Sequence, residues 1–235
     1  MGAWASYDLR NFLLFSRETY LRLFELYNDF VGPGWIVAVL AGLGIPLAFA
    51  FGGKWRGRIA SAILAAAWLW IAWGFHWRWY RGIHLAAPWF AGAFAVQGVL
   101  LGWVGGVRDR LRTDSAHPVS RWAGWTVYGF ALAGYPLFTP IWNRPWTQAE
   151  LFALAPDPTA IGTLALLLLA ARRLFRALWI IPLLWLLNSA LTLWAMGSVE
   201  AWAPITAGGI AILGGVWRGT MGREGFANSE KGEPP

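Results

Sequence analysis

The sequence predicts an all-α fold, a polytopic transmembrane helix bundle of about seven spans, the fifth short or re-entrant, preceded by an N-terminal amphipathic helix at the interface. Three observations predict it. Apolar runs alternate with short polar gaps, and most runs approach the roughly 20 residues that cross a ~30 Å hydrocarbon layer. Thirteen of the 19 Lys and Arg residues fall in every second gap. A chain that is 57% hydrophobic and 13% charged would leave a soluble domain with an aggregating surface.

The segment from Ser16 to Phe30 has helical periodicity. Tyr20, Leu23, Phe24, Tyr27 and Val31 recur on one side, with Glu18, Arg22, Glu25 and Asp29 opposite. Ser16 is a cap and Gly32-Pro33-Gly34 a stop, so this helix lies in the outer interface or forms a lid on the bundle. The apolar runs follow as Trp35 to Phe51, Ile59 to Trp77, Ala86 to Val107, Trp122 to Phe138, Pro158 to Ala171, Ala177 to Met196 and Ala201 to Trp217. This divides the chain into an N-terminal segment (1–34), a transmembrane bundle (35–217) and a flexible cytoplasmic tail (218–235).

Lys54, Arg56, Arg58, Arg108, Arg110, Arg112, Arg121, Arg172, Arg173, Arg176, Arg218, Arg223 and Lys231 occupy one set of gaps. The other set holds Arg10, Arg17, Arg22, Arg78, Arg81 and Arg144 among most of the acidic residues. The positive-inside rule then predicts an inner (cytoplasmic) membrane protein with its amino terminus outside and its carboxyl terminus inside. The net charge of +7 is explained by topology and anionic lipid, so the bilayer rather than nucleic acid is the expected partner.

The chain has no cysteine, which excludes disulfides and thiolate chemistry. No nucleophile elbow, phosphate loop or metal-ligand spacing is present, so no catalytic residue, metal site or cofactor is predicted. Among the 19 tryptophans, Trp35, Trp55, Trp77, Trp79, Trp122, Trp142, Trp146, Trp202 and Trp217 fall at span ends, where an indole anchors a helix at the interface. Trp68, Trp70 and Trp73 lie deeper, facing lipid, a neighbouring helix or a ligand.

Proline and small residues set the packing. Pro182 withholds an N–H from the carbonyl of Leu178 and kinks the sixth span, and Pro46 and Pro136 act similarly in the first and fourth. Gly98, Gly102 and Gly106 in the third span form a stripe, as do Ala207, Ala211, Gly215 and Gly219 in the seventh. Each stripe permits close helix approach within the chain, to a second copy in a homo-oligomer, or to another membrane subunit. Gln97, Asn188 and Ser189 are the polar groups within spans, expected to hydrogen-bond between helices.

Several residues occur in an order that resembles a known family: Phe15-Ser16-Arg17-Glu18 with Tyr27-Asn28, Tyr135-Pro136-Leu137, Pro156-Asp157-Pro158-Thr159 with Gly162, and Ile181-Pro182-Leu183-Leu184-Trp185. They resemble the landmarks of a bacterial family of multi-pass membrane proteins known only as a domain of unknown function. The resemblance covers nearly the whole chain and implies location and fold without an activity. The chain departs from that pattern at Ile83-His84-Leu85, where the family tends to have Ile-Asn-Pro, and at Asp157, where it tends to have Cys.

Pro156-Asp157-Pro158 predicts a helix start, with Asp157 as cap and Pro158 as first residue. Leu151 to Ala155 would descend before it as a short helix, and the fifth span, about 24 Å long at helical rise, would fall short of the hydrocarbon layer. Two readings follow: a tilted short span capped at the water boundary, or a broken helix framing a site. The candidate solute-binding residues are Asp157, His76, His84, Arg81 and Glu200, gathered in an outward-facing polar vestibule. The functions expected from this pattern are small-solute permeation or transport and, as the alternative, a non-catalytic structural subunit of a larger membrane assembly.

Overall fold

Helix α1 (Arg17–Val31) starts where Ser16 Oγ accepts the Thr19 N–H. It stops at Gly32, whose left-handed φ of 51° lets its own N–H return to the carbonyls of Asn28 and Asp29. In the computed structural model, residues 15–111, 118–170 and 177–215 are described. After α1 come α2 (Gly34–Phe51), α3 (Gly53–Gly82), α4 (Ala87–Val107), α5 (118–141), α6 (Pro156–Leu169), α7 (Ala177–Ala195) and α8 (Val199–Gly215). Among the described residues there is no strand.

Four helices, α2, α3, α4 and α7, are long and apolar enough to cross a membrane. Their large outward residues, such as Val37, Leu40, Leu47, Val99, Leu184 and Leu187, are exposed, as helices solvated by lipid require. These helices mark the chain as a membrane protein. Each predicted apolar run has a helix, but α6 and α8 are shorter, and α5 is not among the four. Arg112, Arg172, Arg173, Arg176, the 218–235 tail, Trp217 and Gly219 lie outside the described residues.

Helix α6 is the centre. All 14 of its residues are buried, and it packs against α3, α5 and α7. At about 21 Å it is too short to cross the hydrocarbon layer alone, and it needs no lipid contact because protein surrounds it. Gly124 of α5 meets Leu169 and the carbonyl of Ala165, and Gly214 of α8 lies against Leu168, so small residues admit both neighbours.

The glycine stripe of α4 is used selectively. A Cβ at Gly98 would stand 2.8 Å from Leu69 and 3.1 Å from the carbonyl of Ala65, and one at Gly105 would overlap Ser61. Gly102 faces Ala65 loosely and Gly106 meets no neighbour. The reason is helical geometry: seven residues make nearly two full turns, so Gly98 and Gly105 share the α3 face, whereas Gly106 turns away. In α8, Ala211 is fully buried and Gly215 lies against Trp179.

Two of the proline-freed carbonyls find side-chain donors on neighbouring helices. Pro182 leaves Leu178 O without its helical partner, and Gln97 Nε2 of α4 donates to it at 3.0 Å. Pro46 does the same to Gly42 O, and Tyr128 Oη of α5 donates there at 2.7 Å. Trp68 is buried and donates to Thr163, Trp70 donates to the Tyr27 hydroxyl, and Trp73 is exposed.

Tyr128→Phe should cost about 1 kcal/mol of stability, because Gly42 O is left unpaired. In a Pro46→Ala background the helix supplies its own N–H, and the same substitution should cost close to nothing. Thermal unfolding of the four proteins in detergent measures the coupling.

Candidate functional site

The segment between α5 and α6 builds the site. Proline at both Pro145 and Pro156 prevents a continuous helix, and residues 149 and 150 and 152 to 155 run irregularly yet buried. The expected short helix at Leu151 to Ala155 is absent. The chain turns there instead, with Ala153 in the left-handed region at φ 67°. Thr159 holds the turn from inside: its Oγ1 accepts the Ala153 N–H at 2.9 Å and donates to Ala155 O at 2.8 Å. Leu154 O accepts from the Tyr27 hydroxyl at 3.1 Å, and Asn28 Nδ2 donates to Thr147 O and Ala149 O. Irregular backbone at this depth is tolerated because protein donors replace water.

Helix α6 begins two residues earlier than expected. Pro156 takes the first helical position, for which its fixed φ suits it, and Ala155 is the cap residue. Asp157 therefore stands inside the first turn and does not cap the helix. Its carboxylate is 2% exposed and points across the bundle, accepting from Trp185 Nε1 at 2.7 Å, Ser189 Oγ at 2.6 Å and Tyr135 Oη at 2.8 Å. Three donors from α5 and α7 suit an ionised carboxylate.

Beside it lies an ion-pair network. Arg144 was expected as an ordinary loop charge, but it is buried, and its Nη1 bonds Glu200 Oε2 at 2.7 Å and Glu150 Oε1 at 3.1 Å. Its second Nη donates to Gln148 O, and its guanidinium lies over the Phe24 ring. Glu200 uses its other oxygen for Arg17 of α1 at 2.9 Å. One carboxylate thus joins the start of α8, the irregular segment and α1.

His76 lies on the inner side of a π-helical stretch, Ile71–Trp79, that ends the regular part of α3. Its ring is fully buried among Phe94, Trp185, Phe75, Tyr80 and Phe90, with centroids 4.4 to 5.9 Å away. Neither ring nitrogen has a hydrogen-bond partner. Trp185 joins the two parts of the site, with its ring against His76 and its N–H on Asp157. His84 is half-buried beside Tyr80, and its Nδ1 accepts the Ala86 N–H. Arg81 is exposed over the Trp77 ring and stands apart from the rest.

The expected open vestibule is therefore a closed compartment. Helix α1 covers it with Tyr20, Phe24 and Tyr27, and a surface cleft of about 760 Å³ between α1 and the irregular segment ends at Leu151 and Leu154. Among the described residues no three His, Asp or Glu side chains converge as metal ligands. Sequence reasoning did not identify Arg144, Tyr135 and Trp185 as site residues, although Tyr135 and Trp185 stood among the landmarks of the resemblance. Arg144 had only a weak signal, a charge enclosed by Trp142, Pro145 and Trp146.

A family model described as a family of unknown function (DUF6064) matches residues 17–220. The chain belongs to that family. The match includes α1, Asp157, Arg144 and Glu200, so both lid and compartment lie within the DUF6064 region. No curated protein and no solved structure matches the chain.

Glu150 supplies a test of the compartment. Burial pushes its carboxyl up to about 8, with Arg144 opposing the shift and Asp157 and Glu200 adding to it. Between its ordinary value of 4.5 and about 8 the folded protein binds this proton more tightly than the unfolded chain does. Stability should therefore fall as pH rises through that window. Melting temperature measured from pH 5 to 8 should decline for the wild type, and Glu150→Gln should flatten the decline.

Proposed function

We propose that this protein moves a small solute, a proton foremost, through its helical bundle, and that the closed compartment around Asp157 is the binding station. One observation carries this reading. Two buried acidic groups, Glu150 and Glu200, share the guanidiniums of Arg144 and Arg17, and a third, Asp157, is held by three neutral donors where helix α6 begins inside the bundle. A structural bundle gains little from such a network, since buried ion pairs often stabilise less than apolar packing of the same volume. Ionisable groups inside a membrane protein are a marker of ion or substrate pathways, and broken helices frame such sites.

Three buried acidic groups able to hold a proton favour a proton or cation over an anion. Helix α1 and the segment carrying Arg144 would act as the outer gate, because Arg17 and Arg144 both bind Glu200 and their separation would open the cleft beside α1. His76 and Trp185 form the aromatic wall behind Asp157. A second reading, a non-catalytic subunit of a larger membrane assembly, draws on the complete hydrogen bonding of Asp157, which needs no ligand.

The test is ion flux into vesicles containing the purified protein, under imposed proton, sodium or potassium gradients. Wild type should exceed empty vesicles under at least one gradient, and Asp157→Asn should fall to the empty-vesicle level while melting within a few degrees of wild type. No wild-type flux under any gradient, with co-isolation of other membrane proteins at fixed stoichiometry, would overturn the transport reading and favour the subunit.

The orientation belongs to the same proposal: inner membrane of a bacterium, with α1 and the acidic residues outside and the Lys54 to Arg58 loop inside. The absence of cysteine permits a clean check. A membrane-impermeant maleimide should label Asp29→Cys in intact cells and Lys54→Cys only after lysis; the reverse pattern inverts the topology.

A further inference from the structure

The three buried acidic groups of the compartment are held unequally. Asp157 accepts from three neutral donors, and Glu200 receives a guanidinium on each oxygen, Arg17 at 2.9 Å and Arg144 at 2.7 Å. Glu150 has a single side-chain hydrogen bond among the described residues, 3.1 Å from Arg144 Nη1, the same nitrogen that serves Glu200. It is buried, in the irregular segment rather than on a spanning helix. One shared nitrogen neutralises a second carboxylate poorly, so Glu150 is the member of the three best suited to hold a proton. Burial, opposed by Arg144 and reinforced by Asp157 and Glu200, accordingly pushes its carboxyl up to about 8. The phenols of Tyr20 on α1 and Tyr135 on α5 are the other titratable groups that feel its charge. The segment that carries Glu150 also grips the lid. Asn28 of α1 donates to Thr147 O and Ala149 O on one side of Glu150, and Tyr27 donates to Leu154 O on the other. The cleft beside α1 ends on Leu151 and Leu154 of that same segment.

We propose that Glu150 is the group that exchanges the transported proton with the water beside α1, and that this proton latches α1 over the compartment. The inference rests on the transport reading and names the residue through which the proton enters and leaves on this side. The step is a proton transfer alone: the O–H bond of the Glu150 carboxylic acid breaks, the proton passes to a water molecule in the cleft, and a carboxylate remains. Glu150 and Glu200 then both present a negative charge to one Arg144 nitrogen, with Asp157 nearby. A buried carboxylate so poorly paired is relieved by hydration, which requires residues 147–154 to part from α1. Asn28 and Tyr27 lose their acceptors in that movement, and the cleft deepens past Leu154 into the compartment. The sign follows from linkage. The closed form binds the proton at about 8 and a hydrated Glu150 near its ordinary 4.5, so closure is favoured at low pH and is lost as pH rises through that window. A loaded compartment is closed on the α1 side and an empty one is open, so a bound proton does not escape back past α1.

The experiment uses the full chain, which has no cysteine of its own, with one reporter thiol at the end of the cleft, Leu154→Cys. Its labelling rate by a neutral methanethiosulfonate reagent is divided by that of the exposed reporter Asp29→Cys at the same pH, which cancels the thiol's own pH response. The ratio should rise by up to about tenfold per pH unit between 4.5 and about 8 and level off above it. Glu150→Gln should hold the ratio low at every pH. Arg17→Gln, which unties α1 from Glu200, should raise it at every pH and keep the slope. Ala155→Cys, equally buried, provides the same readout should Leu154→Cys fail to fold. A ratio that is flat with pH, or a slope that survives Glu150→Gln, would overturn the latch. Proton flux into vesicles separates this result from the transport reading: pH-dependent labelling without flux removes transport and leaves the latch, whereas flux with a flat ratio removes the latch alone.

Discussion

Inside an apolar bundle a polar atom has no water to turn to, and the architecture depends on how each one finds a protein partner. The Asp157 carboxylate is the clearest case. Its three donors come from α5 and α7, so a single side chain on the central helix fixes the position of two neighbours. The backbone follows the same rule. Gly42 O, Leu178 O and Leu154 O lie in different parts of the fold, yet each accepts from a side chain far away in the sequence. Prolines and an irregular segment create these vacant acceptors, and the donors that fill them determine which elements touch.

The electrostatic arrangement extends that logic to charge. Arg144 would be costly to bury alone, but it meets Glu150 and Glu200, and Glu200 shares its second oxygen with Arg17. Because Arg17 belongs to α1, the helix that covers the site is tied to the charges it covers. His76 departs from that logic. It is enclosed by rings, with both nitrogens unpaired, in a π-helical stretch of the kind often found at functional positions. The network and the histidine meet at Trp185, which makes this indole the link between the two halves of the compartment.

Much of the fold was legible in local pattern. The cap at Ser16, the stop at Gly32 and the apolar face of Tyr20, Leu23, Phe24 and Tyr27 fall as periodicity dictates, because these are properties of residues three or four apart. The vacancy at Leu178 O was legible too, since Pro182 alone creates it. Its filling by Gln97, 81 residues away, was not. Asp157 was legible as important but misread as a cap, because local preference for the first helical position does not record that Pro156 competes for it.

Order along the chain is enough to specify helices, their fitness for a membrane and where they break. These follow from hydropathy, proline and charge order, which act along the chain. Contacts in three dimensions set that α6 is enclosed, that Arg144 is buried and Arg81 is not, and that the compartment around Glu200 is closed. Those outcomes depend on pairings across as many as 183 residues, as between Arg17 and Glu200, and no local preference encodes which distant partner will neutralise a charge.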